Sequence, residues 1–159
     1  MQKFLKIIVA QAIIPIASLL ILAISPVPVS AQTFTFTAVL NSGQEPPPNT
    51  NNSRAFGVAF VTFNEGAGEV CFSISYTLDS LTSTETNAHF HAPAAPGVNA
   101  GVIIQLPTPA NPKNGCVTVS LSQELIEALF AGLWYINIHT TNNPGGEIRG
   151  QVNPTFLSY

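Results

Sequence analysis

Apolar and polar residues alternate along several segments of the chain after position 32. Apolar side chains recur at every second position in Thr33–Thr37, Phe56–Phe63 and Val70–Leu78, and a period of two is typical of a β-strand with one buried face. Asn64–Gly68, between the second and third of these segments, has the composition of a tight turn. The pattern therefore predicts an antiparallel meander in the first part of the domain.

The rest of the chain predicts five more strands and one helix. A short helical pattern begins at Ser120, where Gln123 completes a capping box, and it ends near Gly132. About eight short strands with regular turns and one brief helix predict an all-β fold, an antiparallel Greek-key sandwich of immunoglobulin-like or superoxide-dismutase-like type. The five later strands are predicted at Thr86–His91, Gly101–Leu106, Cys116–Val119, Leu133–Thr140 and Glu147–Val152.

The first 31 residues have the features of a secretory signal peptide. Lys3 and Lys6 precede a long apolar stretch, and the residues before Gln32 predict cleavage between Ala31 and Gln32, which leaves residues 32–159 as a single domain. The alternative is an uncleaved membrane anchor, because the apolar stretch is about long enough to cross a bilayer. No second stretch approaches that length. We therefore expect no stable membrane span after cleavage, and a secreted, periplasmic or cell-envelope location.

Charge is scarce in this sequence. Charged residues make up 8% of the 159 residues, and the formal net charge is −3, whereas about a quarter of the residues in ordinary soluble proteins are charged. After residue 31 the basic side chains are Arg54, Lys113 and Arg149, against all eight acidic residues, for a net charge of −5. No basic patch is present to neutralise phosphates, so nucleic-acid binding is excluded.

The two cysteines, Cys71 and Cys116, are expected to form a disulfide. They are the only cysteines of the chain, and in an oxidising compartment a single pair is normally oxidised. A metal site at these residues is disfavoured because neither belongs to a C-x-x-C motif.

The three histidines carry the most specific chemical signal. His89 and His91 are two residues apart on one predicted strand and so share a face, and His139 lies opposite the apolar face of another strand. Three converging imidazoles are suitable ligands for copper or zinc. The alternative is a polar sheet face whose histidines bond to loop backbone and bind no metal. The polar residues that could support the ligands are Asn137, Glu147, Arg149 and Gln151.

No catalytic residue is predicted. The sequence contains no G-x-S-x-G, G-x-G-x-x-G or P-loop motif, and the lone aspartate Asp79 gives a serine–histidine–aspartate triad no local support. Glu147 and Arg149 lie two residues apart on one strand and are expected to form an ion pair. The sequence therefore favours a binding protein over an enzyme.

Four segments resemble the CHRD domain, which is named after chordin and is widespread in secreted bacterial proteins. The most specific motifs are H-x-H-x-P-A-A-P-G and H-T-x-x-N-P-G-G-E-I-R-G-Q, and the four segments are Ala38–Pro47, Cys71–Ile74, Ala88–Gly97 and Ile138–Gln151. The resemblance implies an immunoglobulin-like β-sandwich and assigns no biochemical activity. The H-x-H pair also resembles the copper ligands of copper-zinc superoxide dismutase, but three histidines are too few for that binuclear site.

Three functions are compatible with these features. The leading hypothesis is a non-catalytic secreted module that binds a protein, glycan or envelope component through its loops. The second is a mononuclear copper or zinc protein, for metal handling or small redox chemistry, that uses His89, His91 and His139. The third is a purely structural envelope protein. The distance between the histidine side chains in the folded chain separates the second hypothesis from the others.

Overall fold

The structure, a computed structural model, describes residues 32–155. The predicted signal peptide, residues 1–31, lies outside the described residues. Among the described residues, no helix is long and apolar enough to cross a membrane. A short 3-10 helix follows the first strand, and the other elements in chain order are β1 Thr33–Asn41, β2 Phe56–Asn64, β3 Glu69–Thr77, β4 Glu85–His91, β5 Val102–Gln105, β6 Lys113–Thr118, α1 Gln123–Phe130, β7 Trp134–Thr140 and β8 Ile148–Pro154.

All eight strands belong to one antiparallel sheet, in the order β5-β4-β7-β8-β1-β2-β3-β6. The predicted meander is confirmed, because β1, β2 and β3 pair in sequence order over their full lengths. The sheet curls until its two halves face each other, and the rings of Phe72 in β3 and Phe90 in β4 meet with centroids 6.1 Å apart. The predicted all-β sandwich is therefore confirmed, with the difference that its two layers are halves of one hydrogen-bonded sheet.

The helix α1 packs on the apolar core, as its periodicity predicts. The Phe130 ring contacts two phenylalanines of β1, and the buried Trp134 indole donates its Nε1–H to the carbonyl oxygen of Leu125 at 2.8 Å. The helix begins later than predicted. Its N-cap is Ser122, whose hydroxyl accepts a hydrogen bond from the Leu125 backbone N–H at 3.3 Å, and not Ser120. Serine is a preferred N-cap residue, so capping preference alone does not distinguish Ser120 from Ser122.

The predicted disulfide is present between Cys71 and Cys116. The two residues face each other directly across the β3–β6 pair, with Cα atoms 3.9 Å apart. Because the bond closes a loop of 45 residues, it is expected to stabilise the fold by about 2–4 kcal/mol. It also fixes β6, an edge strand, to the meander.

Lys113 differs from its sequence-based prediction, which placed it in a loop. It begins β6 with its side chain 0% exposed. Its Nζ donates to Glu85 Oε1 at 2.5 Å and to the Pro107 carbonyl oxygen at 2.6 Å. The other carboxylate oxygen of Glu85 accepts hydrogen bonds from the Tyr76 hydroxyl and, at 3.4 Å, from the Ala110 backbone N–H. We call Tyr76, Glu85 and Lys113 the ion-pair cluster. Every charged atom in this cluster has a partner.

Candidate metal site

Strands β4, β7 and β8 are neighbours in the sheet, and their outward faces carry the polar residues that the sequence singled out. Most of these polar side chains are buried, and the loop between β4 and β5 covers part of the face. Gln151 Nε2 donates to the Ala94 carbonyl oxygen at 2.7 Å, and Arg149 Nη2 to the Ala95 carbonyl oxygen at 3.4 Å. The positions that face each other across the strands are Asn87 with His139, His89 with Asn137, His91 with Tyr135, Asn137 with Arg149, and Tyr135 with Gln151.

The three histidines converge on this face. One ring nitrogen from each of His89, His91 and His139 lies within 4.8 Å of the other two. The ring centroid of His89 is 5.3 Å from that of His91 and 5.1 Å from that of His139, which makes His89 the middle member of the cluster. The direct pairing of β4 with β7 produces this arrangement, since each strand contributes its histidines from the same face.

Backbone carbonyls fix the orientation of two of the rings. His91 Nδ1 lies 3.0 Å from the carbonyl oxygen of Ala100, and His139 Nδ1 lies 3.0 Å from that of Pro144. Because a carbonyl can only accept, each Nδ1 carries the proton, and each Nε2 of the neutral ring holds a free lone pair. A metal-binding histidine commonly has this arrangement, in which the second ring nitrogen donates to a carbonyl.

The nitrogens that face the cluster have no hydrogen-bond partner. His89 Nδ1, His91 Nε2 and His139 Nε2 are buried and unpaired. Within residues 32–155, the only other buried side-chain nitrogen or oxygen atoms without a partner are Glu45 Oε1 and Asn137 Oδ1. Asn137 faces His89 across the strand pair, and Glu45 contacts Asn137. All five unsatisfied atoms therefore belong to one region, whereas buried polar groups in folded proteins are normally paired.

The local environment keeps two of the imidazoles neutral. Burial and the proximity of His139 and His91 together lower the pKa of His89 to about 4. Burial also lowers the pKa of His91, although its hydrogen bond to Ala100 opposes the shift. Neutral imidazole is the form that binds metal ions, so these two rings are in the binding form at neutral pH.

An aromatic stack continues from the cluster into β8. The His91 ring lies parallel to the Tyr135 ring, with an interplanar angle of 3° and centroids 4.6 Å apart. The guanidinium carbon of Arg149 lies 3.4 Å from the centroid of the same Tyr135 ring, a distance typical of cation–π contact. The Tyr135 hydroxyl accepts a hydrogen bond from the Ala100 backbone N–H at 3.1 Å. Tyr135 thus holds both His91 and the loop that orients it.

Of the four polar residues expected near the histidines, two have other partners. The Glu147 carboxylate accepts hydrogen bonds at 2.6 Å from the Thr140 hydroxyl, at 2.7 Å from the Ser53 hydroxyl and at 3.2 Å from the Asp79 backbone N–H. Burial alone would raise its pKa, but these hydrogen bonds lower the pKa below its ordinary value. Gln151 bonds to loop carbonyls, as described above. Glu147 therefore fixes three chain segments and does not face the cluster.

The expected ion pair between Glu147 and Arg149 is wrong. Among the described residues, the side chains that pair as Lys or Arg with a carboxylate are Arg54 with Asp79, and Lys113 with Glu85. Arg149 is 1% exposed and bonds at 3.4–3.5 Å to neutral oxygens only. The guanidinium stacks on the Tyr135 ring and does not pair with Glu147.

Glu45 is the residue of this region that the sequence analysis missed. It follows the 3-10 helix, its side chain is 4% exposed, and its Oε2 lies 3.5 Å from Asn137 Nδ2. Burial raises the pKa of Glu45 to about 7, although Arg149 and Asn137 act in the opposite direction. Gly146, at φ +134°, packs against both side chains, where an added Cβ would lie 2.6 Å from Glu45 Oε1. The signal for Glu45 was its place in a segment that resembles the CHRD domain.

Comparison with known proteins agrees with this resemblance. The family model described as the CHRD domain matches residues 36–152, which include all three histidines, Glu45 and both cysteines. The chain therefore belongs to the CHRD domain family. No curated protein matches the sequence, and no solved structure matches it.

Proposed function

We propose that this CHRD domain binds one copper or zinc ion through His89 Nδ1, His91 Nε2 and His139 Nε2. One observation carries the proposal: each of the three histidines has a buried, unpaired ring nitrogen, and one ring nitrogen of each lies within 4.8 Å of the other two. An unpaired buried nitrogen costs free energy unless something binds its lone pair. A single cation would bind all three lone pairs at once.

The donor set determines the class of metal. Three neutral imidazoles without a carboxylate suit Cu(II) or Zn(II) better than Mg²⁺ or Ca²⁺, which prefer oxygen ligands. Nitrogens bound at 2.0–2.1 Å to a tetrahedral ion are about 3.3 Å apart. Rotation of the rings toward their common centre would bring the nitrogens to that spacing, and the carbonyls of Ala100 and Pro144 already orient two of the rings.

The proposed location is outside the cytoplasm. The Cys71–Cys116 disulfide is typical of an oxidising compartment, and the first 31 residues have the composition of a secretory signal. In such a compartment the domain acts as a non-catalytic metal-binding module. This proposal combines the hypothesis of a binding module with that of a metal site. The loops that a partner would contact include the carbonyls of Ala100 and Pro144, which orient His91 and His139.

Isothermal calorimetry of the metal-free protein with Cu(II) and Zn(II) tests the proposal. We expect one ion per chain with micromolar or tighter affinity. His91→Asn and His139→Asn are the sharpest variants, because an asparagine amide can still donate to the Ala100 or Pro144 carbonyl while the Nε2 ligand is lost. Loss of one ligand should weaken binding by more than the roughly 10–100-fold typical of a supporting residue.

Asn87→Ala is the matched control, since Asn87 lies on the same strand and faces His139. It should bind the metal with wild-type affinity. Absence of binding, or binding that is equal in wild type and in both asparagine variants, would contradict the metal site. The leading alternative would then be an interaction module whose histidines only order two loops.

A further inference from the structure

Two of the five unpaired buried atoms are not explained by a metal ion. The ion would bind the three histidine nitrogens, and Glu45 Oε1 and Asn137 Oδ1 would still lack a hydrogen-bond donor. When Glu45 is ionised, both atoms are acceptors, so the missing group must donate protons. A water molecule bound to the ion has two protons to donate and one lone pair for the metal.

We infer that the ion has an open fourth coordination position, which faces Asn137 and Glu45 and holds a water molecule that a small anion can replace. This inference rests on the proposed metal site. Three protein ligands with a solvent molecule in the fourth position characterise a reactive zinc or copper centre, whereas a structural site is closed by four protein ligands. No fourth histidine, cysteine or carboxylate of the described chain lies close enough to complete the histidine cluster.

The position of Asn137 supports this geometry. Asn137 faces His89, the middle histidine, on the neighbouring strand, and it lies two residues from His139 on the same face. Its Nδ2 points to Glu45 Oε2 at 3.5 Å, which directs its Oδ1 elsewhere. Gly146 packs against this pair, and an added Cβ there would lie 2.8 Å from Asn137 Oδ1. Asn137 is thereby held between Glu45 and Gly146, at the position that pairs with His89.

Charge favours an anion as the replacing ligand. The three imidazoles contribute no negative charge, and Glu147 is bonded to other segments. Arg149 faces Asn137 on β8 and adds a positive charge without a carboxylate partner at ion-pair distance among the described residues. Glu45 is the one carboxylate that contacts Asn137. A divalent ion would thus leave the region positive, and such a field attracts small anions.

A pocket lies next to Glu45 and Arg149, the two charged residues near Asn137. Glu45 and Arg149 line a pocket of about 360 Å³, whose walls include Pro46, Pro47 and Pro96. Glu45 lines this pocket and also contacts Asn137. The exchange itself is a ligand substitution: the metal–water bond breaks, the anion donates a lone pair to the metal, and the water leaves intact. No electron is transferred, so no oxidant or reductant is needed.

Azide titration of the Cu(II)-loaded protein, followed by the azide-to-copper charge-transfer absorption, tests this inference. We expect saturable binding of one azide per copper. Asn137→Ala removes an acceptor that stabilises the competing water. It should therefore raise azide affinity by roughly 10-fold, the scale of a supporting residue. Glu45→Gln removes the negative charge without changing shape and should strengthen azide binding. Asn87→Ala, on the far side of the cluster, should leave it unchanged.

The outcomes separate this inference from the metal site itself. If copper binds with wild-type stoichiometry and azide produces no new absorption, the fourth position is closed and the inference is wrong. If azide binds only in Asn137→Ala, the Asn137 oxygen is itself the fourth ligand, which also overturns it. If copper does not bind the wild-type protein, both the metal site and the open coordination position are wrong. Glu45→Gln keeps the test valid if Asn137→Ala does not fold.

Discussion

Two buried polar clusters lie at the two ends of β4, and they differ in one respect. At its start, Glu85 belongs to the ion-pair cluster, where Lys113, Tyr76 and the loop backbone satisfy every charged atom. At its end, His89 and His91 belong to the histidine cluster, which contains unpaired nitrogens. Glu85, His89 and His91 are buried to a similar degree, so burial alone does not distinguish the two clusters. The unpaired lone pairs do, because buried polar groups in folded proteins are normally paired.

The largest expected effect is on stability, from the ion-pair cluster. Lys113→Met removes the cation and leaves the buried Glu85 carboxylate without its counter-charge. Such a loss destabilises a protein by about 3–5 kcal/mol, which urea unfolding of the variant would measure. Metal affinity should be unchanged, because the histidines lie at the other end of β4. A Lys113→Met protein that loses metal binding while still folded would show that the two clusters are not independent.

Metal addition should stabilise the fold through the histidine cluster alone. At a free-metal concentration 100 times the Kd, a ligand specific for the folded state adds about 2.7 kcal/mol. Thermal unfolding with and without Zn(II) would show this gain in the wild type. The Lys113→Met variant should show the same gain from its lower baseline, and His139→Asn should show none. An equal gain in His139→Asn would mean that the ion binds elsewhere.

Gly146→Ala should destabilise the fold by crowding the Glu45–Asn137 pair. The alanine would adopt φ +134° and place its Cβ 2.6 Å from Glu45 Oε1, at a cost of about 1–3 kcal/mol for the backbone alone. Gly97→Ala is a matched control, since Gly97 has φ +79° and no atom within 4 Å of an added Cβ. The excess loss in Gly146→Ala, measured by urea unfolding, is the effect of crowding the Glu45–Asn137 pair. Equal losses of stability in the two variants would show that the Glu45 and Asn137 side chains move aside without cost, which would contradict the prediction.

The last expected effect is a pH dependence of the metal-free protein. The folded pKa of His89 is lowered to about 4 from an ordinary value of 6.5, so the unfolded chain binds more protons between these values. Stability from this residue is complete above pH 6.5 and falls as the pH drops towards 4. Urea unfolding across this window should show the decline, and His89→Gln should reduce its slope. NMR titration of the His89 ring with a midpoint near 6.5 would contradict the prediction.

Sequence periodicity was sufficient for the strands and for the shared face of the histidines. The alternation in β1 to β3 is local, and so is the H-x-H spacing, which requires only that β4 be extended. Contacts between distant segments were not predictable in this way. Lys113 was assigned to a loop because its neighbours are polar, and its burial depends on Glu85 in β4. Glu45 lies in a proline-rich loop, and only folding places it against Asn137.

The sheet order has a consequence for when the histidine cluster can form. Strands β1, β2 and β3 pair with neighbours close in the chain, whereas β4 and β7 bring together residues such as Ala88 and Ile138 from distant parts of the sequence. Short-range pairings form quickly, and long-range ones wait for the loop between them to close. A folding chain therefore presents only His89 and His91 together at first. His139 joins them when β7 docks, so the proposed metal site is complete only in the finished fold.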